Sequence, residues 1–190
     1  MNDNVSGTAL FDTAIGTCGI AWRAGSVTAV QLPEATAEGT RVRMLKALPP
    51  GLPGGEPALC QAGAVPPFVQ AAIDGVRALL QGAPRDLREV PLDMTRVSDF
   101  HQRVYAIARR IAPGQTRSYG EVAAELGDKG LARAVGQALG QNPFAPIVPC
   151  HRVVAANGKP GGFSGGGGAL TKLRMLAIEG AAPGGTRSLF

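Results

Sequence analysis

The residues best suited to chemistry in this chain stand together in Pro149-Cys150-His151-Arg152-Val153. A thiol reacts as its thiolate, and an imidazole within reach helps to remove its proton. Neighbours on an extended strand point to opposite faces, so Cys150 and His151 would need a turn at Pro149, or a bridging water, to act together. Taken alone, a Cys-His pair is more often a small buried thiol beside a surface histidine. The other two cysteines, Cys18 and Cys60, lie far apart at irregular spacing. With His101 they fit no metal-ligand pattern, so no zinc or other metal is expected and both read as ordinary core or surface residues.

The elements that must position this pair follow from local patterns. Residues 8–32 read as β structure, with Thr17–Arg23 and Ser26–Leu32 split by an Ala24-Gly25 hairpin turn. Residues 33–66, rich in Pro, Gly, Glu and Ala, read as a long loop or a degraded part of a small sheet domain. A helix is predicted from Pro67, at a first helical position, to Leu80, with Gly82 as its stop and Phe68, Ala72, Val76, Leu79 and Leu80 inward. Residues 83–97 form a connector, and the domain boundary falls near Arg88–Thr95, which gives domains 1–95 and 96–190.

The second half is more helical. Ser98 caps a helix whose inward face is Phe100, Val104, Ile107, Ala108 and Ile111, ended by Pro113-Gly114. Ser118 and Glu121 make a capping box for a short helix through Leu126. After Gly127-Asp128-Lys129-Gly130 a third helix runs from Leu131 to about Gly140, so the pair suits a helix-turn-helix. Asn142-Pro143 ends it. Ile147–Val154 is read as a short β segment, and Gly161–Gly168 as a glycine-dense loop. Ala169–Ile178 is read as a last helix with Leu170, Leu173, Leu176 and Ala177 inward, closed by Gly180 before a mobile tail.

Composition narrows the function classes. Hydrophobic residues are 45% and charged residues 17%, which argues against disorder throughout. No run of about 18 apolar residues exists, so no membrane span is expected, and the polar start MNDNVSGTALFD does not read as a secretory signal. The odd cysteine count fits a reducing cytoplasm. Residues 1–98 carry 8 Lys/Arg and 9 Asp/Glu, whereas residues 99–190 carry 11 and 5, so the excess of +5 lies wholly in the C-terminal half. That asymmetry points to a half that binds nucleic acid.

The run from Arg133 to Ser164 contains RAVGQALGQNP, PCHRVV and GGFSGG. It resembles the O6-alkylguanine-DNA alkyltransferases, the methylated-DNA–protein-cysteine methyltransferases, most specifically through PCHRV. The resemblance is strong from Phe100 to Glu179 and weak over residues 8–98. It implies an α/β (α+β) fold, with a small ribonuclease-H-like N-terminal domain and a mostly helical C-terminal domain carrying a winged-helix-like helix-turn-helix. It implies a monomeric DNA-repair protein that needs no cofactor. Such a protein extrudes O6-alkylguanine, or O4-alkylthymine, from double-stranded DNA and moves the alkyl group once, irreversibly, to its own cysteine.

By position, the resemblance makes Cys150 the acceptor, His151 its base through a water, and Glu179 the group that orients the imidazole. Asn142 ties the recognition helix to the active-site segment. Tyr119 presses on the target phosphate and offers its hydroxyl near guanine N3, while Arg133 fills the stack left by the extruded base. Leu139 forms apolar wall, and the Val153 carbonyl, Phe163 and the Ser164 backbone meet the base. Phe163 stands where the family often has Tyr, the loop after Ser164 is longer than in many relatives, and Gly140 replaces a basic DNA contact. Two other readings compete: a non-enzymatic binder of alkylated DNA like the alkyltransferase-like proteins, which lack the acceptor cysteine, and a thiol hydrolase. The first is opposed by Cys150; the second leaves the helix-turn-helix unexplained.

Overall fold

The computed structural model describes residues 6–48, 65–163 and 165–181. Three strands, β1 (Gly7–Thr13), β2 (Gly16–Arg23) and β3 (Ser26–Gln31), form an antiparallel meander in sequence order. Alternation places Ala9, Phe11, Cys18, Ile20, Trp22, Val27 and Val30 in the core. The expected turn at Ala24-Gly25 is present. Both residues have positive φ, 47° and 78°, the pattern of a tight turn whose twist matches the strands it joins.

The expectation of a loop after residue 33 fails at helix α1 (Ala37–Ala47). This helix has no apolar stripe to betray it, since only Thr40 and Met44 are buried. It is fixed instead by its ends and by one anchor. Thr36 caps the Gly39 amide at 3.0 Å, the Thr40 hydroxyl accepts from the Glu34 amide at 2.9 Å, and Met44 packs over Gly19 of β2. The rest of that expected loop, residues 49–64 with Cys60, lies outside the described residues, as does the tail from residue 182.

Helix α2 (Pro67–Leu80) has the predicted bounds. Its buried face is Val69, Ala72, Ile73, Val76, Leu79 and Leu80, with Phe68 at the margin rather than at the centre. The connector is pinned rather than free. Val27 donates to the Pro91 carbonyl and Asp93 to the Val27 carbonyl, both at 2.9 Å, so residues 91–93 run alongside β3. Arg109 donates to the carbonyls of Leu87, Arg88 and Val90.

Helix α3 (Asp99–Ala108) is capped by Ser98 as expected and buries Val104, Tyr105, Ile107 and Ala108. A short strand β4 (Arg117–Ser118) leads through the complete capping box into α4 (Tyr119–Glu125). A turn and one 3-10 turn then lead to α5 (Ala132–Gly140), which buries Val135, Ala138 and Leu139. The Tyr105 hydroxyl donates to the Ala138 carbonyl at 2.9 Å and locks α3 to α5. Apolar residues from both halves of the chain join in one large cluster, with Val154, Leu176 and Ala181 forming a small second one.

Two further expectations are corrected. Residues 147–154 are not one extended strand. Cys150–Arg152 is a 3-10 turn, and only Val153–Val154 (β5) pairs, in parallel, with β4. In α6 (Ala169–Ile178) the inward face is Lys172, Met175 and Leu176, while Leu170, Leu173 and Ala177 are exposed. The most apolar stripe lost because the helix turns its Lys172–Glu179 face toward buried groups that need those charges. Among the described residues no helix is long and apolar enough to cross a membrane, and no three His, Cys, Asp or Glu side chains are arranged to hold a metal ion.

Candidate active site

Pro149 opens the 3-10 turn Cys150–Arg152, so Cys150 and His151 do not follow the alternation of an extended strand. The Cys150 amide donates to the Val148 carbonyl at 2.8 Å and the Arg152 amide to the Pro149 carbonyl at 3.0 Å, which fixes the backbone on both sides of the thiol. Asn142 in turn is held by its neighbours. Its Nδ2 donates to the Val148 carbonyl at 2.8 Å and its Oδ1 accepts from the Phe144 amide at 2.9 Å. One side chain just after α5 therefore fixes the loop that precedes the thiol, and it lines the same cavity as Cys150. Burial pushes the Cys150 thiol up, the Asn142 hydrogen bond and the Lys172 charge pull it part of the way back, and the net direction is upward. A base must therefore take its proton.

His151 is fully buried and its Nε2 lies 2.8 Å from Glu179 Oε1. Burial pulls its pKa down more than the Glu179 carboxylate raises it, so the ring is neutral at pH 7. With a carboxylate at Nε2, the neutral ring carries its proton there and leaves Nδ1 as the acceptor. Nδ1 is buried and has no hydrogen-bond partner among the described residues. A buried polar atom without a partner costs about 1–3 kcal/mol, and here it leaves the acceptor nitrogen of the ring free to take a proton.

Glu179, at the end of α6, has a side chain only 2% exposed. Arg152 grips it with two nitrogens, Nε to Oε2 at 3.0 Å and Nη2 to Oε1 at 2.8 Å. The Gly114 amide adds a bond at 3.3 Å, and Arg152 Nη1 is tied to the Ile111 carbonyl at 2.6 Å. Burial alone would push the carboxyl up. The bonds from His151 and Arg152 together outweigh it and hold Glu179 at about 2. The unfavourable place of an acid at a helix end is thereby compensated by specific partners.

Lys172 and Arg152 were not singled out from the sequence. Lys172 is buried, donates to the Val153 carbonyl at 2.6 Å and to the Tyr119 hydroxyl at 3.3 Å, and burial lowers it to about 8. The signal was available: Lys172 and Glu179 lie two helical turns apart on one face, so expecting Glu179 inward implies Lys172 inward. Tyr119, half-buried at the first turn of α4, also touches Gly161, where a Cβ would stand 2.8 Å from its hydroxyl. At φ +69° and this close to the ring, only glycine fits.

The cavity over Cys150 is lined by Asn142 and Phe163 among others. Leu139 is buried in the core at the end of α5 and does not line that cavity. The Val153 carbonyl already accepts from Lys172 with one lone pair. Arg133 projects into solvent from the start of α5, near exposed Lys129. Ser164 lies outside the described residues. Much of the C-terminal charge is spent internally: Arg152 and Lys172 are buried, and Arg110 and Arg117 both pair with Glu125.

A buried Cys-His-Glu set behind a helix-turn-helix defines a thiol-dependent protein of the DNA-handling class. Comparison with known proteins narrows this. Residues 99–181 match the family model described as 6-O-methylguanine DNA methyltransferase, DNA binding domain. The methylated-DNA–protein-cysteine methyltransferase of Mycobacterium tuberculosis is 46% identical over 114 residues, 60% of this chain and 67% of that protein. A DNA base-flipping protein of Thermus thermophilus is 39% identical over 142 residues, 72% of this chain and 92% of that protein. The crystal structure of the Mycobacterium tuberculosis O6-methylguanine methyltransferase superposes with a TM-score of 0.68 at 34% identity, covering 94% of each chain. The same species' enzyme bound to DNA gives 0.69 at 34% identity, covering 93% of this chain and 95% of that one. The chain belongs to the methylated-DNA–protein-cysteine methyltransferase family of DNA-repair enzymes.

Proposed function

We propose that this protein repairs O6-alkylguanine in double-stranded DNA by moving the alkyl group to Cys150, once per molecule and as a monomer. The observation that carries this reading is the neutral, buried His151, whose Nε2 is occupied by Glu179 and whose Nδ1 has no partner among the described residues. Nδ1 takes the thiol proton through a water, and the imidazolium so formed is stabilised by Glu179. The Cys150 sulfur then attacks the alkyl carbon in line. The S–C bond forms as the C–O6 bond breaks, and the base leaves with its electron pair.

The leaving base gains a proton at N3 from the Tyr119 hydroxyl. Lys172 donates to that hydroxyl oxygen, which leaves the Tyr119 proton free to point at the base and stabilises the oxygen that loses it. The proton lost by the thiol is balanced by the one gained by the base. The thioether has no leaving group at physiological pH, so there is no turnover. Reaching O6 for in-line attack requires the nucleotide outside the stack, with Arg133 filling the gap. The division near residue 95 separates a sheet domain from the half that carries DNA contacts and chemistry.

Binding of alkylated DNA without transfer is the second reading, and similarity to the Thermus thermophilus base-flipping protein favours it. Titrating O6-methylguanine duplex into the protein decides between them. The transfer reading expects one methyl per protein, none from a second dose of DNA, and none with Cys150→Ser. Tight binding with an unchanged protein mass refutes it.

A further inference from the structure

The cavity that opens on Cys150 has a volume of about 660 Å³. A methyl group, close in size to a water molecule, needs roughly 30 Å³, and Tyr119 and Val153, which are expected to meet the extruded base, do not line this cavity. The excess does not lie in the C-terminal half alone. One wall is the segment Gly140–Ala145, and the other is built from β3 and the end of α1, with Val97 of the connector. The apolar part of that second wall is Leu32, Met44, Ala47, Leu48 and Val97.

The polar part is cationic. Arg23 is neutralised by Asp93 at 2.7 Å and Arg43 by Glu34 at 2.6 Å. Arg96 also lines the cavity, is exposed, and makes no ion pair among the described residues. An arm with apolar walls and one uncompensated guanidinium suits a flexible hydrocarbon chain that ends in an anion.

We propose that this interdomain arm is a subsite for the tail of an extended O6-alkyl group carrying a terminal carboxylate. The chain lies along Met44, Ala47 and Val97, and the carboxylate meets Arg96. The proposal rests on the reading of Cys150 as acceptor. It assigns the choice of transferred group to the N-terminal half, which contains none of the residues expected to do the chemistry.

The test uses three duplexes carrying O6-methylguanine, O6-hexylguanine and the carboxylate-ended analogue of the hexyl group. Single-turnover rates are compared within each protein, so the methyl rate controls for folding and for the acceptor chemistry. The native chain transfers all three. Ala47→Trp, at an exposed position closing α1, slows both long groups by roughly tenfold relative to methyl, the scale on which a filled apolar pocket discriminates. Arg96→Gln slows the carboxylate-ended group alone by about threefold, as expected for an exposed ion pair. Long-chain rates that follow the methyl rate in Ala47→Trp overturn the subsite. Equal slowing of hexyl and carboxylate-ended groups by Arg96→Gln overturns the anionic end. Failure of methyl transfer in the native chain instead refutes the acceptor reading, whereas methyl transfer without long-chain transfer refutes the subsite alone.

Discussion

Replacing Glu179 by Gln tests how the buried ionic set serves both stability and transfer. The change keeps shape and removes one charge, leaving Arg152 buried without its carboxylate. Glu179 sits at about 2 in the folded protein, against the ordinary 4.5. A depressed acid stabilises the fold above its unfolded pKa and loses that contribution as pH falls through the folded value. Here the window runs from about pH 5 down to about pH 2, and the contribution at pH 7 is about 3 kcal/mol. Stranding Arg152 costs an amount of the same order, about 3–5 kcal/mol.

Urea unfolding of Glu179→Gln at pH 7 is therefore expected to show a loss of about 3 kcal/mol, and the variant to lose the part of the acid sensitivity that Glu179 carries. Transfer suffers separately, because an amide no longer fixes the His151 tautomer or balances the imidazolium. By analogy with other orienting acids the single-turnover rate falls by roughly 10⁴-fold. The double variant Arg152→Met with Glu179→Leu separates the two effects: it regains stability, because no charge is stranded, but not rate. A Glu179→Gln protein within about 0.5 kcal/mol of native stability, or within about threefold of its rate, would refute this reasoning.

Other expectations follow from single contacts. Lys172→Met leaves Tyr119 without its buried donor and is expected to slow transfer by about 10²-fold in single-turnover assays with an unchanged circular dichroism spectrum; a change under threefold would remove Lys172 from the reaction. A Cβ at Gly166 would run into the Pro33 carbonyl oxygen, so Gly166→Ala should displace the neighbouring Phe163 and Gly165 from the cavity. It should slow transfer by roughly tenfold without weakening DNA binding in a mobility-shift titration. Ala24 holds φ 47° in the hairpin, and Ala24→Gly should raise thermal stability by about 0.5–1 kcal/mol, checked by calorimetry. Among the described residues of 99–190, Lys129, Arg133 and Lys159 are the exposed cations with neither an ion pair nor a side-chain hydrogen bond; if these three meet phosphates, affinity should fall about 40-fold between 50 and 200 mM salt, and a slope twice as steep would mean that other cations reach the phosphates.

Where local rules act alone, the residues announced the fold. Pro67 and Gly82 bound α2, Ser118 and Glu121 start α4, and Ala24-Gly25 turns the hairpin, because each depends on a few adjacent residues. Helix α1 was hidden because its cohesion comes from a cap and one methionine reaching across to β2, and neither leaves a periodic stripe. The inward face of α6 was misread for the opposite reason. Its apolar stripe is real, but the face carrying Lys172 and Glu179 is claimed by Val153, Tyr119, His151 and Arg152, which come from distant parts of the chain. The same long-range logic hid Arg152, which looks like a surface charge until its carboxylate arrives from α6. Cys150, His151, Asn142 and Glu179 were reached through the PCHRV resemblance, and the 3-10 turn that carries the first two has no marker beyond Pro149.

The central claim concerns one sulfur atom, and peptide mass mapping reads it directly. The native protein is incubated with duplex DNA carrying O6-methylguanine, digested, and the peptide containing Cys150 is compared with those containing Cys18 and Cys60. A single methyl on the Cys150 peptide, in one-to-one yield with repaired guanine, is the expected result. Repair without that methyl, or a methyl on another residue, would contradict it.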